Sequence, residues 1–232
     1  MLTALRQEVC EANRALGREG LAKLTWGNVS GIDRRQGLIV IKPSGVAYAD
    51  LTPDKMVVLD LAGKVAEGTT LRPSSDTPTH VVLYARFEAI GGVAHTHSAC
   101  ATAFAQAGRG IPCYGTTHAD YFHGEIPLTR ELRRAEIERN YETATGLVIV
   151  ERFSRLNPVE MPGALVAQHG PFAWGPSATI AMQNAVVLEE VARLALDTLR
   201  LNPEAAPVSS FLLEKHFLRK HGPAAYYGQS GH

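Results

Sequence analysis

Apolar and polar residues follow two different periods along this chain. Segments with apolar residues three or four positions apart predict helices, and short apolar or alternating runs between turn residues predict strands. The predicted helices are Leu2 to Leu16, DTPTHVVLYARF, ATAFAQAG, TRELRRAEIERNYET, SATIAMQNAVVLEEVARLALDTL and SSFLLEKHFLRKHG. The predicted strands lie in LTWGNVSGID, GLIVIKPSG, MVVLDLAGKVAEG (a hairpin), GGVAHTHS and GALVAQHG. In the second helix Asp76 or Thr77 is the expected cap, and Pro78 lies in the first turn. The alternation predicts an α/β fold of three layers, with a mainly antiparallel central sheet flanked by helices.

Length, composition and charge limit the classes of function. A chain of 232 residues, 45% of them hydrophobic, can bury a substantial core, and we expect one domain over residues 1–232. Lys and Arg together number 23, as do Asp and Glu, so the net charge is zero and no basic field favours a nucleic acid or a membrane surface. The expected partner is therefore a small molecule.

The cysteine pattern and the N-terminal segment predict a cytoplasmic protein. Cys10, Cys100 and Cys113 are widely spaced, odd in number and outside any CxxC pair, which argues against a disulfide framework. The N-terminal segment mixes charged and apolar residues and so lacks the continuous apolar run of a signal peptide. No segment of the sequence predicts a membrane-spanning helix.

Two histidines stand one residue apart at the end of the apolar segment GGVAHTHS. In a strand, alternate side chains share a face, so His95 and His97 would project to the same side with their ring nitrogens close enough to chelate one ion. Neutral imidazole is a common metal ligand. An ordinary structural arrangement explains the pair equally well: one ring bonds a backbone carbonyl and the other caps the next helix.

A third histidine favours the metal site. His169 ends the apolar segment ALVAQHG just before Gly170 and Pro171, where we expect a strand to give way to a loop. Three histidine ligands leave one coordination position free, which is typical of a catalytic zinc that acts as a Lewis acid.

Two short segments rich in hydroxyl groups and glycine could bind a phosphate. They are KPSG, which ends with Ser44 and Gly45, and PSSD, which carries Ser74 and Ser75 just before a predicted helix. Hydroxyl groups, exposed backbone N–H groups and a helix N-terminus together favour an anion. No Walker or dinucleotide motif accompanies them, so the phosphate would belong to a small substrate. Taken one at a time, each segment is more typical of an ordinary turn.

A series of motifs gives the sequence a family resemblance. In order they are TWGNVSG, KPSG, PSSDTPTH, HTHS, GTTHADYF, QHGPFAWG, KHFLRKHG and AYYGQ. In this combination the chain resembles the L-ribulose-5-phosphate 4-epimerases of the class II sugar-phosphate aldolase/epimerase superfamily. The resemblance runs nearly end to end and is weakest from about Arg130 to Pro162 and in LNPEAAPV.

The resemblance implies a metal site and a phosphate pocket. One divalent metal per subunit, normally zinc, would be bound by His95, His97 and His169. The residues that would line the phosphate pocket are Asn28, Ser44, Gly45, Ser74 and Ser75.

Four catalytic residues are also implied. Asp76 stands where related aldolases carry a glutamate near the metal, and Asp120 and Tyr227 match proposed proton-transfer groups, with His216 as an associated catalytic residue. Each has an ordinary alternative. Asp76 could cap a helix, Asp120 could lie in a turn, His216 could be an exposed helix position, and Tyr227 could cover the core.

The implied reaction interconverts L-ribulose 5-phosphate and D-xylulose 5-phosphate. The C–H at carbon 4 is not next to the carbonyl and is not acidic, so the family breaks and re-forms the bond between carbons 3 and 4. Protons must be transferred on two faces, which suits two acid/base groups such as Asp120 and Tyr227. Epimerases of arabinose catabolism, of ascorbate use and of other pentose pathways share this chemistry.

The resemblance further implies a homotetramer with active sites between subunits. Metal and phosphate residues would come from one chain, and Asp120, His216 and Tyr227 from its neighbour. The apolar-rich C-terminal helix is compatible with a subunit contact.

Two other functions remain open at the level of sequence. One is a metal-dependent aldolase acting on a related substrate such as L-fuculose 1-phosphate, against which stand Asp76 in place of glutamate and the intact KHFLRKHG and AYYGQ motifs. The other is a non-catalytic assembly module like the head of adducin, against which stand the three histidines and the acids.

Overall fold

The computed structural model describes residues 2–66, 69–222 and 225–226. The helices within these ranges are α1 (Thr3–Arg18), α2 (Thr77–Arg86), α3 (Ala99–Gln106), α4 (Thr116–Ala119), α5 (Arg134–Arg152), α6 (Ala178–Leu201) and α7 (Ser210–His221). The strands are β1 (Asn28–Asp33), β2 (Leu38–Ile41), β3 (Val57–Asp60), β4 (Gly92–His95), β5 (Gly163–Val166) and β6 (Gly170–Gly175).

The six strands form one antiparallel sheet in the order β3, β2, β1, β4, β6, β5. Strand β4 lies between β1 and β6, and its last residue, His95, is paired with Asn28 on one side and with Phe172 on the other. Residues directly opposite in an antiparallel pair share a face of the sheet. This register therefore gathers polar side chains from distant parts of the chain on one face, at the end of β4.

Helices cover both faces of the sheet. A Cβ atom built on Gly31 of β1 would lie 2.8 Å from Leu5 and 3.5 Å from Ala178, so α1 and α6 press closely on this face. The neighbouring Ser30 points to the other face, where its hydroxyl lies 2.7 Å from both His80 Nδ1 and Tyr84 Oη of α2. Helix α5 packs on α2. The predicted three-layer α/β fold with an antiparallel sheet is confirmed.

Most predicted elements are present, α4 was not predicted, and three other segments differ from the prediction. The hairpin expected in MVVLDLAGKVAEG is reduced to β3 and one isolated bridge, between Leu59 and Val65. Helix α5 begins at Arg134, later than the charge pattern suggested. The segment after His169 is not a loop: it forms β6, and His169 lies in the tight turn between β5 and β6. Gln168 in this turn has a φ of 59°, which lets the chain reverse within three residues.

Two further features concern the helices and the cysteines. No helix within residues 2–66, 69–222 and 225–226 is both long and apolar enough to cross a membrane. Cys10, Cys100 and Cys113 all lie in the described ranges, and all are free thiols.

Candidate active site

The three predicted metal ligands meet where strand β4 ends and strand β6 begins. His95 is the last residue of β4, His97 follows two residues later, and the turn before β6 brings His169 beside them because β6 is paired with β4. The donor atoms of the three side chains all lie within 4.8 Å of one another. His95 Nε2 and His97 Nε2 are 3.1 Å apart, so the shared orientation predicted from the sequence is present although His97 lies beyond the end of the strand.

Hydrogen bonds to the far side of the rings orient two of these imidazoles. His95 Nδ1 lies 2.9 Å from the carbonyl oxygen of Pro171, and the ring stacks on Phe172 with centroids 4.1 Å apart. His169 Nδ1 lies 3.2 Å from Tyr141 Oη. With both Nδ1 atoms engaged, Nε2 is the atom each ring offers to a ligand.

The ordinary structural arrangement, in which one ring of the pair bonds a backbone carbonyl and the other caps the next helix, is present only in part. His95 does bond a backbone carbonyl, yet this leaves its Nε2 free to face the other two rings. His97 does not cap the next helix. The carboxylate of Glu189 on α6 accepts from the first backbone N–H groups of α3 instead, at 2.8 Å from Cys100 N and 2.9 Å from Ala101 N.

Burial favours the neutral form of two of these histidines. Burial, together with the neighbouring His95 and His97, lowers the pKa of His169 to about 3, and burial also lowers the pKa of His97. A neutral ring presents a lone pair instead of a proton, which is the form that binds a metal. Three converging imidazoles therefore fit a divalent cation of the zinc type.

A cleft of about 440 Å³ opens beside the triad. It contains every predicted phosphate-binding residue together with His97 of the triad and Asp76. The lining residues are Thr25, Trp26, Gly27, Asn28, Lys42, Ser44, Gly45, Ser74, Ser75, Asp76 and His97. The two segments that looked like ordinary turns when taken singly, KPSG and PSSD, are neighbours, joined by a bridge between Pro43 and Pro73.

Asn28 connects the hydroxyl groups of the cleft to its carboxylate. Its Nδ2 donates to Ser74 Oγ at 3.0 Å and to Asp76 Oδ2 at 2.6 Å. Its Oδ1 is buried and has no hydrogen-bond partner in the described part of the chain, so this acceptor is not used by the protein residues described. The side chain of Asn28 thus fits the predicted role in substrate binding.

Asp76 occupies the N-cap position of α2, but its carboxylate makes no capping hydrogen bond. It faces the cleft instead. Burial acts to raise its pKa, and the adjacent His95, the adjacent His80 and the hydrogen bond from Asn28 outweigh that effect, so the pKa of Asp76 is lowered. The carboxylate is therefore placed as an anion at the boundary between the triad and the phosphate-binding segments.

Lys42 was not among the predicted site residues, yet it lines the cleft. Its side chain is buried, with Nζ 3.3 Å from the Pro43 carbonyl oxygen, 3.4 Å from that of Thr25 and 5.1 Å from the ring centroid of Tyr48. Burial lowers the pKa of Lys42. A buried cation beside serine hydroxyls is suited to bind a phosphate, and its place at the start of KPSG was the signal in the sequence.

Asp120 and His216 form a second cluster with helix α7. Asp120 is buried at the end of α4, and its Oδ1 lies 3.0 Å from His216 Nδ1. Arg219 binds the same carboxylate through Nε and Nη2, and Lys220 Nζ lies 3.8 Å away. Asp120 is thus more than a turn residue, and His216 is not a fully exposed helix position. Tyr227 lies outside the described residues.

Comparisons with known proteins give consistent results. Residues 7–196 match the family described as "Class II Aldolase and Adducin N-terminal domain". The L-ribulose-5-phosphate 4-epimerase UlaF of Salmonella paratyphi B is 57% identical over 97% of this chain and 98% of that protein.

Solved structures share the fold. An L-fuculose 1-phosphate aldolase matches 92% of this chain and 94% of its own with a TM-score of 0.77 at 22% identity. The L-fuculose 1-phosphate aldolase from Glaciozyma antarctica matches 97% of this chain and 85% of its own with a TM-score of 0.79 at 16% identity.

Proposed function

The chain belongs to the family of class II aldolases and adducin N-terminal domains. From its 57% identity to the epimerase UlaF we propose that it is a metal-dependent L-ribulose-5-phosphate 4-epimerase. It would interconvert L-ribulose 5-phosphate and D-xylulose 5-phosphate by breaking and re-forming the bond between carbons 3 and 4. One observation carries the proposal. His97 belongs both to the histidine triad and to the wall of the cleft that contains the predicted phosphate-binding residues, so a metal-bound sugar and its phosphate fit in one site.

The histidine triad would hold the metal. His95, His97 and His169 would supply three nitrogen ligands, and zinc is the ion that we propose, since it commonly takes three protein ligands in catalytic sites. When bound, such an ion acts as a Lewis acid that stabilises the negative charge developing on the sugar oxygens as the carbon–carbon bond breaks.

The cleft residues would hold the phosphate end of the substrate throughout the reaction. Ser44, Ser74 and Ser75 offer hydroxyl groups, Gly45 offers an exposed backbone, and Lys42 offers a positive charge. After the bond breaks, the aldehyde fragment keeps the phosphate and must turn over before the bond re-forms. A firm hold on the phosphate lets the fragment turn without leaving, which is what separates an epimerase from an aldolase.

Proton transfer would depend on the second cluster. We assign Asp120 and Tyr227 to proton transfer at the carbon 4 oxygen, on opposite faces of the fragment, and His216 to their support. The bond from His216 Nδ1 to the Asp120 carboxylate supports this grouping for the two residues that the structure describes.

We also propose a homotetramer in which this cluster serves the metal site of a neighbouring chain. Helix α7, which carries His216, exposes apolar side chains: 87% of Phe211 and 47% of Leu218 are accessible. The two positions are seven residues apart and so lie on one side of the helix, which is compatible with a subunit contact. We propose that residues 1–232 form one domain per subunit, and the continuous core from Val9 to Ala195 supports this. We also propose a cytoplasmic location, which the free thiols favour.

The test is to incubate the purified protein with L-ribulose 5-phosphate and follow both D-xylulose 5-phosphate and free aldehyde, before and after a chelator. We expect xylulose phosphate with little aldehyde, loss of the activity with the chelator, and recovery when Zn²⁺ is restored. Free glycolaldehyde phosphate as the main product would instead assign an aldolase. No turnover of this substrate or of L-fuculose 1-phosphate by metal-loaded protein would favour a non-catalytic module.

A further inference from the structure

We propose that Tyr141 is a positioning residue that fixes the ring orientation and tautomer of the metal ligand His169. The inference rests on the metal site of the proposed function and adds to it a residue from α5, the part of the chain where the family motifs are weakest. Tyr141 Oη lies 3.2 Å from His169 Nδ1, and the two rings lie 29° from parallel with centroids 5.9 Å apart.

A break in α5 directs Tyr141 towards the histidines. Asn140, directly before it, has a φ of −153° and a ψ of 69°, which are not helical values, so the helix changes direction at this point. Two threonine hydroxyls bind backbone carbonyls just after the break. Thr145 donates to Tyr141 O at 2.9 Å within α5, and Thr79 donates to Glu142 O at 2.6 Å and so ties this turn of α5 to α2.

The segment after the break is also held in place by close packing. A Cβ atom on Gly146 would lie only 2.7 Å from Val82 Cβ, so α5 and α2 approach each other as closely as a glycine allows. Because Asp76, the N-cap residue of α2, lines the cleft, this packing fixes α5 relative to the site. Tyr141 therefore has a defined position, although it is only partly buried and follows a stretch of α5 with mixed charges.

The hydrogen bond decides which nitrogen of His169 can bind a metal. A neutral imidazole carries one proton, and the nitrogen without it is the ligand. When Tyr141 Oη accepts from the Nδ1–H group, the lone pair lies on Nε2 and the ring cannot rotate without losing the bond. The Pro171 carbonyl does the same for His95, at 2.9 Å from its Nδ1. Tyr141 therefore fixes the tautomer and orientation of His169, as the Pro171 carbonyl does for His95.

The test measures metal affinity directly, independent of turnover. Metal-free wild type and Tyr141→Phe would be titrated with Co²⁺ against a chromophoric chelator, and the visible absorption of the bound Co²⁺ recorded. Tyr141→Phe removes one oxygen and keeps the ring. We expect the Kd for Co²⁺ to rise by about 10-fold to 100-fold and the absorption bands to change, because loss of such partners of metal ligands typically has this effect.

Three further variants separate orientation from packing. Tyr114→Phe is the matched control, since Tyr114 lies in another pocket, and its Kd should stay within about twofold of wild type. Tyr141→Gln keeps a hydrogen-bond acceptor without the ring, and Tyr141→Leu keeps neither. We expect Tyr141→Gln to bind Co²⁺ more tightly than Tyr141→Leu, and this comparison decides the question if Tyr141→Phe does not fold.

Two kinds of result would overturn the inference, and only the second would also contradict the proposed metal site. Equal Kd values and spectra for wild type and Tyr141→Phe, or equal Kd values for Tyr141→Gln and Tyr141→Leu, would remove Tyr141 from the metal site and leave the proposed function intact. A wild-type protein that binds no Co²⁺ would overturn both this inference and the metal site itself.

Discussion

Arg219 binds Asp120 through two parallel hydrogen bonds, from Nε to Oδ1 at 3.0 Å and from Nη2 to Oδ2 at 2.7 Å. Burial acts to raise the pKa of Asp120, but the hydrogen bonds from Arg219 and His216 outweigh it, and the pKa is lowered. The carboxylate is thus held as an anion, which can accept a proton from the substrate but is a poor donor at neutral pH. This arrangement is consistent with a base on one face and a separate acid on the other.

The first prediction concerns the charge on Asp120. Asp120→Asn should lower the melting temperature near neutral pH, and this deficit should shrink as the pH falls. The folded-state pKa lies below the unfolded value of about 3.9, so the stability from the charge is fully present above the unfolded pKa and is lost as the pH falls through the folded pKa. Thermal unfolding of both proteins between about pH 7 and about pH 3 measures the effect.

A matched control is available on α5. Glu138 forms an exposed pair with Arg134, and Glu138→Gln should change the melting temperature little at any pH. A deficit for Asp120→Asn that does not vary with pH would show that the loss comes from packing and not from the charge.

Lys42 should contribute mainly to substrate binding. Lys42→Met removes the buried positive charge beside the serine hydroxyls and keeps most of the side-chain volume. Hydrogen bonds to charged groups contribute roughly 1.5–3 kcal/mol, so KM for L-ribulose 5-phosphate should rise at least about tenfold. Steady-state kinetics and metal analysis would be compared with Lys55→Met, whose amine bonds the Asp50 carbonyl outside the cleft. An unchanged KM for Lys42→Met would exclude contact with the phosphate.

Metal binding should stabilise the fold through all three histidines. Adding Zn²⁺ to chelator-treated protein should raise the melting temperature, since a ligand at about 100 times its Kd adds about 2.7 kcal/mol to the free energy of unfolding. His169→Ala should abolish most of this increase. His123→Ala is the control, because His123 pairs with Glu160 and Glu214 and is not part of the triad. The same increase in His169→Ala as in wild type would place the ion elsewhere.

The sequence predicted the layers of the fold because its periodicity is strong where elements are buried on one side. It failed at β6, where the segment after His169 begins with Gly170 and Pro171, a pair that is typical of a turn. In the structure β6 lies in the interior of the sheet between β4 and β5, and all six of its residues are buried. Partners supplied by tertiary structure, which no local pattern reveals, override the turn signal.

Site residues carried by short motifs could be predicted, and a residue brought in by a helix break could not. The motifs place Ser44 and Ser74 in polar segments, and the backbone bridge between Pro43 and Pro73 joins these segments. Tyr141 is 28 positions from His169 and belongs to a helix with mixed charges, so only the break at Asn140 makes it a neighbour. A break of this kind depends on contacts such as Thr79 with the Glu142 carbonyl, which the sequence does not show.

The contact between α2 and α5 should be sensitive to a single methyl group. Gly146→Ala would place a carbon 2.7 Å from Val82 Cβ and 3.1 Å from the Thr79 carbonyl oxygen, so the helices must separate. Overpacking of this kind typically costs about 1–3 kcal/mol, which urea unfolding would measure. Gly115→Ala is the control, because nothing lies within 4 Å of its added carbon. Equal stability of Gly146→Ala and wild type would mean that α5 can move away from α2 at no cost, and then the packing could not hold Tyr141 in position.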